Sequence, residues 1–150
     1  MAAAVEDETI EFRIPSNPRY VPTIRRAIRS IATNLAFPDE TASDIELSVG
    51  EALVNAIEHG SPEQNRNTVV VTCRISQDNL TIDVRDEGPG FDAVAYQSSP
   101  ELLDERGRGL TLIYNLMDNV RLCSTSRGAR IRMVKTKRCP VSRQKTYASP

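Results

Sequence analysis

One long segment, residues 40–59, carries two side-chain patterns, and together they restrict the fold more than any other feature of the chain. Apolar residues recur at helical spacing, which predicts a long helix with one buried face. A glycine and then a proline follow, as expected after a helix end. A polar stripe borders the apolar stripe instead of lying on the opposite side of the helix. In this bordering position the polar side chains would line the wall of a cleft. The apolar stripe consists of Ile45, Val49, Ala52 and Ala56. The polar stripe consists of Ser48, Glu51, Asn55 and His59.

The other periodicities predict a sheet against which this helix packs. The order β-α-α-β-β-α-β-β indicates an α+β fold, a two-layer sandwich with helices packed on one face of a mixed, mostly antiparallel sheet. Strands are predicted at residues 9–14, 68–76, 80–85, 120–125 and 129–136, and helices at residues 20–35, 40–59 and 109–117.

A chain of 150 residues is long enough for one domain with its own core. We expect a single unit at residues 9–137, a flexible start at residues 1–8 and a flexible basic tail at residues 138–150. The basic residues toward the end are expected to be solvated. They are Lys135, Lys137, Arg138, Arg143 and Lys145.

Charge and composition exclude several classes of function. The net charge of −1 offers no basic field for direct binding of nucleic acid. No apolar run is long enough to span a membrane, and the acidic start does not resemble a signal peptide. Cys73, Cys123 and Cys139 match no metal spacing and are predicted to be buried or otherwise unremarkable thiols. These features favour a cytoplasmic protein.

Two members of the polar stripe, Glu51 and Asn55, lie one helical turn apart. A carboxylate in a cleft can accept a proton from a hydroxyl group or water. The asparagine offers a neutral carbonyl oxygen to Mg²⁺, which takes few protein ligands and keeps several water and phosphate oxygens. A solvated helix edge would show the same residues, and His59 is more typical of a helix-end histidine than of a catalytic group.

A second segment, Asp86-Glu-Gly88-Pro-Gly90-Phe91, directly follows a predicted strand. A carboxylate only accepts hydrogen bonds, so Asp86 can bind the exocyclic amine of adenine and would reject a carbonyl there. The two glycines let the backbone bend sharply and a planar base approach closely. A plain turn would contain the same residues.

A third segment, Arg106-Gly107-Arg108-Gly109-Leu110, is predicted to lie at the mouth of the last helix. Backbone N–H groups at a helix start bind anions, and the arginines would add charge-assisted donors for phosphate oxygens. Arg108 would either point to solvent or contact phosphate, and a flexible helix start would explain the same glycines. Taken together and in this order, the three segments predict a pocket for a nucleotide and its magnesium ion.

In these residues the chain resembles the Bergerat-fold (GHKL) ATPases, the superfamily of gyrase, MutL, a class of heat-shock chaperones and sensor histidine kinases. Residues 51–60 match the N box, residues 86–91 the G1 box and residues 107–110 the G2 box. The resemblance covers roughly residues 10–135. Within the superfamily the chain is most similar to the RsbW/SpoIIAB-like serine-protein kinases, which act as anti-sigma factors.

The resemblance implies a role for each of these residues. Glu51 would be the general base that activates the attacking serine hydroxyl, Asn55 would hold Mg²⁺ against the phosphates of ATP, and Asp86 would bind the adenine amine. Residues 92–105 would form a lid over ATP. The other ATP-binding positions that the resemblance implies are His59, Gly88, Gly90, Phe91, Arg106 (near the γ-phosphate), Gly107, Arg108, Gly109 and Leu110.

The resemblance also implies partners: a sigma factor, a STAS-domain antagonist that the kinase phosphorylates on serine, and a second copy in a homodimer. One alternative is an ATP-binding regulatory module that sequesters a partner with little phosphotransfer. A second is the catalytic domain of a histidine kinase, but the one histidine of the chain, His59, lies in the N box itself. Arg25, Arg26 and Arg29 of the first predicted helix form a candidate partner surface, which a solvated helix face would equally explain.

Overall fold

The structure is a computed structural model that describes residues 7–61, 63–88 and 103–137, with the backbone alone for residues 103–107. Outside this part of the chain lie five features named above. They are residues 1–6 of the N-terminus, Gly90 and Phe91, residues 92–102 of the lid, Cys139, and the tail at residues 138–150.

The helices and strands follow one another in the predicted order. Two short 3-10 turns, Pro18–Tyr20 and Gln64–Arg66, precede α1 and β2. In the described residues, no helix is both long and apolar enough to cross a lipid bilayer. The elements are β1 (Glu8–Pro15), α1 (Val21–Asn34), α2 (Asp39–His59), β2 (Thr68–Ile75), β3 (Asn79–Arg85), α3 (Leu103–Leu116), β4 (Asn119–Thr125) and β5 (Gly128–Thr136).

The five strands form one sheet in the order β1-β2-β3-β5-β4. Every neighbouring pair is antiparallel, so the described sheet contains no parallel pairing of the kind that a mixed sheet would have. On one face of the sheet, α2 packs between α1 and α3 and contacts β2, β3 and β5. The predicted α+β two-layer sandwich is therefore confirmed.

The core lies between α2 and the sheet, because each contributes one apolar face. Successive side chains of a strand point to opposite faces, and those that point to the helices are the most deeply buried. Cys73 is among them, as predicted, whereas Cys123 is exposed. The buried residues of α2 include Ile45, Val49, Ala52, Leu53 and Ala56, and those of the strands include Val69, Val71, Cys73, Leu80, Ile82, Val84, Ile131 and Met133.

Local sequence sets both ends of α2. Asp39 and Glu40 lie in its first turn, where the helix dipole stabilises carboxylates. At the other end, the N–H of Gly60 donates to the carbonyl of Ala56 at 3.0 Å. The helix therefore ends where the glycine predicted that it would.

The last helix begins earlier than the sequence predicted. α3 starts at Leu103, so Gly107 and Gly109 lie inside the helix and not in front of it. Glycine costs only about 1 kcal/mol relative to alanine in a helix interior, and α3 gains tertiary contacts with α2. The prediction that the helix begins at these glycines is wrong. The N–H groups without partners in a helix belong to its first turn, and in this structure Gly107 and Gly109 come after that turn.

Lys135 is also not part of a solvated end. Its side chain lies on the helix-covered face of β5, and the residue is only 3% exposed. Its Nζ donates to the carbonyl of Leu116 at 2.6 Å and lies 3.6 Å from Oδ1 of Asp118. The last carbonyls of a helix lack partners within the helix, so this lysine ties the end of α3 to the sheet.

Candidate functional site

The polar stripe of α2 meets α3 at Gly109. A β-carbon placed on Gly109 would lie 2.8 Å from Oε2 of Glu51 and 3.6 Å from Nδ2 of Asn55. A side chain at Gly109 would require the Glu51 carboxylate to move, so glycine at this position allows the carboxylate to lie against α3. Glu51 and Asn55 are both half-buried. Folding thus brings the first and third sequence segments together.

The rest of the polar stripe does not line the same cleft. Ser48 is fully buried, and its hydroxyl has no hydrogen-bond partner among the described residues. His59 lies at the surface in the last turn of α2, with Nε2 3.9 Å from Oε2 of Glu58. This position fits the interpretation of His59 as a helix-end histidine, and its predicted contact with ATP remains a prediction.

Asp86 follows β3 directly and is anchored through one carboxylate oxygen. Its Oδ1 accepts hydrogen bonds from the N–H groups of Gly88 at 3.0 Å and Ala129 at 3.1 Å. Its Oδ2 accepts none from the described residues and lies beside Gly60, where a β-carbon would be 2.2 Å away. The carboxyl group is therefore fixed in place with one oxygen left for a donor on a ligand.

Burial raises the pKa of Asp86 above the usual value of 3.8, and the backbone hydrogen bonds from Ala129 and Gly88 partly offset this rise. The loss of hydration disfavours the ionised form of a carboxyl group. A ligand N–H that binds the remaining oxygen would compensate for part of that lost hydration.

Two glycines, Gly60 and Gly128, pack directly against Asp86, and a third, Gly88, packs against Gly60. A β-carbon on Gly60 would lie 2.1 Å from Cγ of Asp86, one on Gly88 would lie 2.6 Å from Cα of Gly60, and one on Gly128 would lie 2.1 Å from the carbonyl oxygen of Asp86. Gly128 also has a φ of 150°, which residues with side chains rarely adopt. The sequence indicated Gly88 as a site residue and Gly60 as the helix end that closes the N-box match, but it indicated no site role for Gly128.

Around Gly109, the other G2 residues separate into backbone and side-chain positions. Arg108 is exposed, so its side chain points to solvent in this structure. The side chain of Leu110 is 6% exposed and belongs to the core, which leaves only its backbone for a nucleotide. The contacts of residues 106–110 with phosphate remain predictions.

The donor set near Asn55 fits magnesium that is held mainly by phosphate oxygens. In the described parts of the chain, no group of three or more histidine, cysteine, aspartate or glutamate residues is placed to hold a metal ion. Mg²⁺ in nucleotide sites typically takes one or two protein ligands and completes its shell with phosphate and water. The side-chain amide of Asn55, which lies near Gly109, is a single neutral group of this kind.

Two of the three arginines on α1 are held by α2. Nη1 of Arg29 lies 2.9 Å from Oε2 of Glu46, and Nη2 of Arg25 lies 4.0 Å from Oε1 of the same carboxylate. Arg25 also covers Gly50, where a β-carbon would be 2.9 Å from its Cδ. Arg26 is exposed. The predicted partner surface on α1 is therefore partly an interhelical contact.

Comparison with known proteins identifies the family of the chain. The sequence model of the family described as histidine kinase-like ATPase domain matches residues 14–135. The serine-protein kinase RsbW of Bacillus velezensis is 31% identical over 135 residues, which cover 84% of this chain and 84% of that protein. The serine-protein kinase RsbW of Bacillus licheniformis is 35% identical over 121 residues, which cover 74% of this chain and 75% of that protein.

Solved structures show the same fold. The RsbU and RsbW domains of Rv1364c from Mycobacterium tuberculosis align with 85% of this chain at a TM-score of 0.66 and 17% identity, and the chain spans 32% of that polypeptide. The histidine kinase domain of the blue-light activated kinase EL346 from Erythrobacter litoralis gives a TM-score of 0.55 at 22% identity, with 81% of this chain and 61% of that chain covered. On the matched family model and the relatives above 30% identity, the chain belongs to the histidine kinase-like ATPase family and, within it, to the serine-protein kinases of the RsbW type.

Proposed function

We propose that this protein is an ATP-dependent serine-protein kinase that also acts as an anti-sigma factor in a partner-switching pathway. The observation that carries the proposal is the approach of Gly109 to Glu51 and Asn55, which joins a candidate base and a candidate magnesium ligand to the G2 segment. The relatives named serine-protein kinase RsbW support this choice of activity.

Asp86 binds the adenine base in this proposal. Its free Oδ2 accepts a hydrogen bond from the exocyclic amine, while Oδ1 stays bonded to the N–H groups of Gly88 and Ala129. A side chain at Gly60 would collide with this oxygen, since a β-carbon there would lie 2.2 Å from Oδ2. A guanine base presents a carbonyl at the equivalent position, so it would place an acceptor against an acceptor.

Asn55 holds Mg²⁺ through its amide oxygen, and residues 106–110 contact the phosphates. When bound, Mg²⁺ neutralises charge on the phosphate oxygens during transfer. Because Gly107 and Gly109 lie inside α3, contacts between phosphate and their N–H groups require the first turns of this helix to rearrange.

Glu51 acts as the general base toward a serine hydroxyl of the substrate protein. The hydroxyl oxygen forms the new bond to the γ-phosphorus, the bond from that phosphorus to the bridging oxygen of ADP breaks, and the hydroxyl proton passes to the carboxylate. Positioning the reacting groups and neutralising charge supply most of the catalysis in phosphoryl transfer. The contact with Gly109 restricts where the Glu51 carboxylate can lie.

The proposed partners are a sigma factor and a STAS-domain antagonist, with residues 9–137 as the working domain in the cytoplasm. The proposed homodimer is tested by light scattering on the purified protein, where a monomer mass across the micromolar range would contradict it. A failure of the cognate sigma factor to bind the purified protein with ATP present would contradict the anti-sigma role.

The kinase proposal is tested by transfer of labelled γ-phosphate from ATP to proteins in an extract of the source cells. The native protein, Glu51→Gln and Glu58→Gln are compared. Glu58 is a matched control, because it lies on the same helix with a side chain that is 61% exposed. We expect an acid-stable label on one small protein, reduced about 100-fold or more in Glu51→Gln and unchanged in Glu58→Gln.

An acid-labile label would instead indicate phosphohistidine and contradict the serine kinase. Equal labelling by the native protein and Glu51→Gln would remove Glu51 from the role of base. ATP binding without transfer to the purified antagonist in its unphosphorylated form would favour the sequestering module.

A further inference from the structure

The sheet face that points away from the helices carries a row of arginines. The strand register places Arg13, Val70, Arg85, Arg130 and Cys123 side by side across all five strands. Directly opposed residues of antiparallel strands point to the same face. The row contains three cations and no acidic residue.

The acidic groups that the strands place on this face, Asp83 and Glu11, are paired with arginines, and one of these arginines, Arg13, belongs to the row. Asp83 accepts from Nε and Nη2 of Arg132 at 2.8 and 2.9 Å, and Nη2 of Arg74 lies 3.8 Å from its Oδ2. Oε1 of Glu11 accepts from Nε of Arg13 at 2.8 Å.

Arg85 and Arg130 have no acidic partner among the described residues. They are directly opposed in the register of β3 and β5, and like charges at opposed positions destabilise a sheet. The Nε of Arg130 is buried without a hydrogen-bond partner in the described part of the chain. A buried donor without a hydrogen-bond partner further lowers the stability of the folded state. Nη2 of Arg130 lies 3.6 Å from Sγ of Cys123 on β4, which is a weak acceptor. An anion bound beside Arg85 and Arg130 would offset the repulsion between the two charges.

The row borders a cleft with a volume of about 440 Å³. The hydroxyl group of Thr68 and the guanidinium of Arg127 add further donors to its lining, whereas the hydroxyl of Thr125 already donates to the carbonyl of Gly128 at 3.3 Å. Two acidic residues, Asp86 and Glu87, also line it, against the four arginines Arg13, Arg85, Arg127 and Arg130, so cations outnumber carboxylates in the lining. Oδ1 of Asp86 and Oε2 of Glu87 accept from backbone N–H groups, which holds these two carboxylate oxygens in place. Clefts of this volume are typical of small-molecule sites.

The chemistry of the cleft favours phosphate groups over nucleic acid bases. Arginine guanidinium groups bind phosphate through paired N–H donors. The strand positions on this face include no aromatic residue, so bases have no stacking platform. The chain as a whole is not basic.

We propose that this cleft is a second ligand site, which binds a small, multiply charged phosphate-bearing molecule between Arg85 and Arg130. The site lies on the sheet face opposite to Glu51 and Asn55, so it is separate from the proposed transfer site. It shares one wall with the nucleotide pocket, because the N–H of Ala129 donates to Oδ1 of Asp86.

The test is a nuclear magnetic resonance titration of the full chain with inorganic pyrophosphate in magnesium-free buffer. We expect saturable shifts of the backbone amides of Val70, Arg85 and Arg130. Arg85→Gln and Arg130→Gln should each weaken this binding about tenfold, as expected for the loss of charge-assisted hydrogen bonds. The control Arg121→Gln changes an exposed arginine of the neighbouring row and should change the affinity less than about twofold.

Thermal unfolding supplies a second measurement. Pyrophosphate should raise the melting temperature of the native protein more than that of Arg85→Gln or Arg130→Gln. Shifts confined to Glu51, Asn55 and Gly109 would place pyrophosphate in the nucleotide pocket and overturn the proposal. Shifts in the cleft that follow protein concentration would show a contact between copies and would also overturn the proposal. An affinity for pyrophosphate that is the same in Arg85→Gln and Arg130→Gln as in the native protein would overturn it too.

Discussion

At the scale of single residues, Asp86 shows how its surroundings prepare a common side chain for a specific task. One carboxylate oxygen is bonded to two backbone N–H groups, and Gly60 and Gly128 pack directly against the residue. The partial burial that isolates the group also raises its pKa above 3.8. The same burial that positions Oδ2 for a ligand therefore lowers the stability of the folded state when Asp86 is ionised.

This cost predicts how stability depends on pH. A pKa raised in the folded state contributes stability below the unfolded value of 3.8, and that contribution is lost as the pH rises through the folded pKa. In Asp86→Asn the amide oxygen can still accept both backbone N–H groups, but the group does not ionise. The melting temperature of the native protein minus that of Asp86→Asn should therefore fall as the pH rises from 4 toward about 7.

Unfolding followed by circular dichroism in matched buffers measures this difference. A difference that increases with pH would mean that the fold lowers the pKa of Asp86. The backbone hydrogen bonds would then outweigh burial.

At the scale of elements, the approach of α3 to α2 determines the site. Glu51 and Asn55 belong to α2, and the close contact with Gly109 of α3 restricts the space around both side chains. At its other end, α3 is held by the hydrogen bond from Lys135 to the carbonyl of Leu116. The helix is thus anchored at its C-terminal end, while its N-terminal part carries the G2 residues.

Gly109→Ala tests the contact between these helices. The new methyl group would lie 2.8 Å from Oε2 of Glu51 unless the carboxylate or the helix moves. We expect phosphate transfer to fall about 100-fold, as is typical when a catalytic group is misplaced by about 1 Å. Unfolding free energy should change by about 1 kcal/mol or less, because alanine is the better helix former and offsets part of the strain.

Thr111→Ala is the matched control, since Thr111 is exposed on the same helix, and its transfer rate should equal that of the native protein. Native transfer rates in Gly109→Ala would show that the contact is not kept during the reaction. The comparison is made by steady-state labelling of the antagonist at saturating ATP.

At the scale of the whole molecule, the two faces of the sheet have different chemistry. One face is covered by the helices and contains the core, and the other carries arginines, of which Arg132 and Arg74 are paired with Asp83. The thiol of Cys73 points into the covered face, where burial first and the charge of Asp83 second raise its pKa to about 12.

Cys73 should therefore report on global unfolding. A thiol that is buried and has little thiolate reacts with an alkylating reagent only when the structure opens. The exposed Cys123 should react in the native state. Site-resolved mass spectrometry after timed alkylation should show that Cys73 labelling rises with denaturant in parallel with the unfolding equilibrium.

Labelling of Cys73 well before global unfolding would contradict this prediction. It would show that the core around Cys73 opens locally before the protein unfolds as a whole.

Most of the fold could be predicted because periodicity reports burial. The stripe of Ile45, Val49 and Ala56 is typical of a helix with one buried face. The alternation of apolar and polar residues at 80–85 is typical of a strand. The start of α3 could not be predicted in the same way, because Gly107 and Gly109 favour a helix start by local propensity. Tertiary packing against α2 outweighs that small preference.

The sequence by itself determined the element order, the buried stripe of α2 and the chemical types of the site residues, since these depend on local spacing and side-chain chemistry. Only the tertiary structure decided that Gly109 lies against Glu51, that Gly60 and Gly128 enclose Asp86, and that Arg85 opposes Arg130. The physical reason is that these contacts join residues distant along the chain. Their distances depend on how helices and strands pack, which no local pattern specifies.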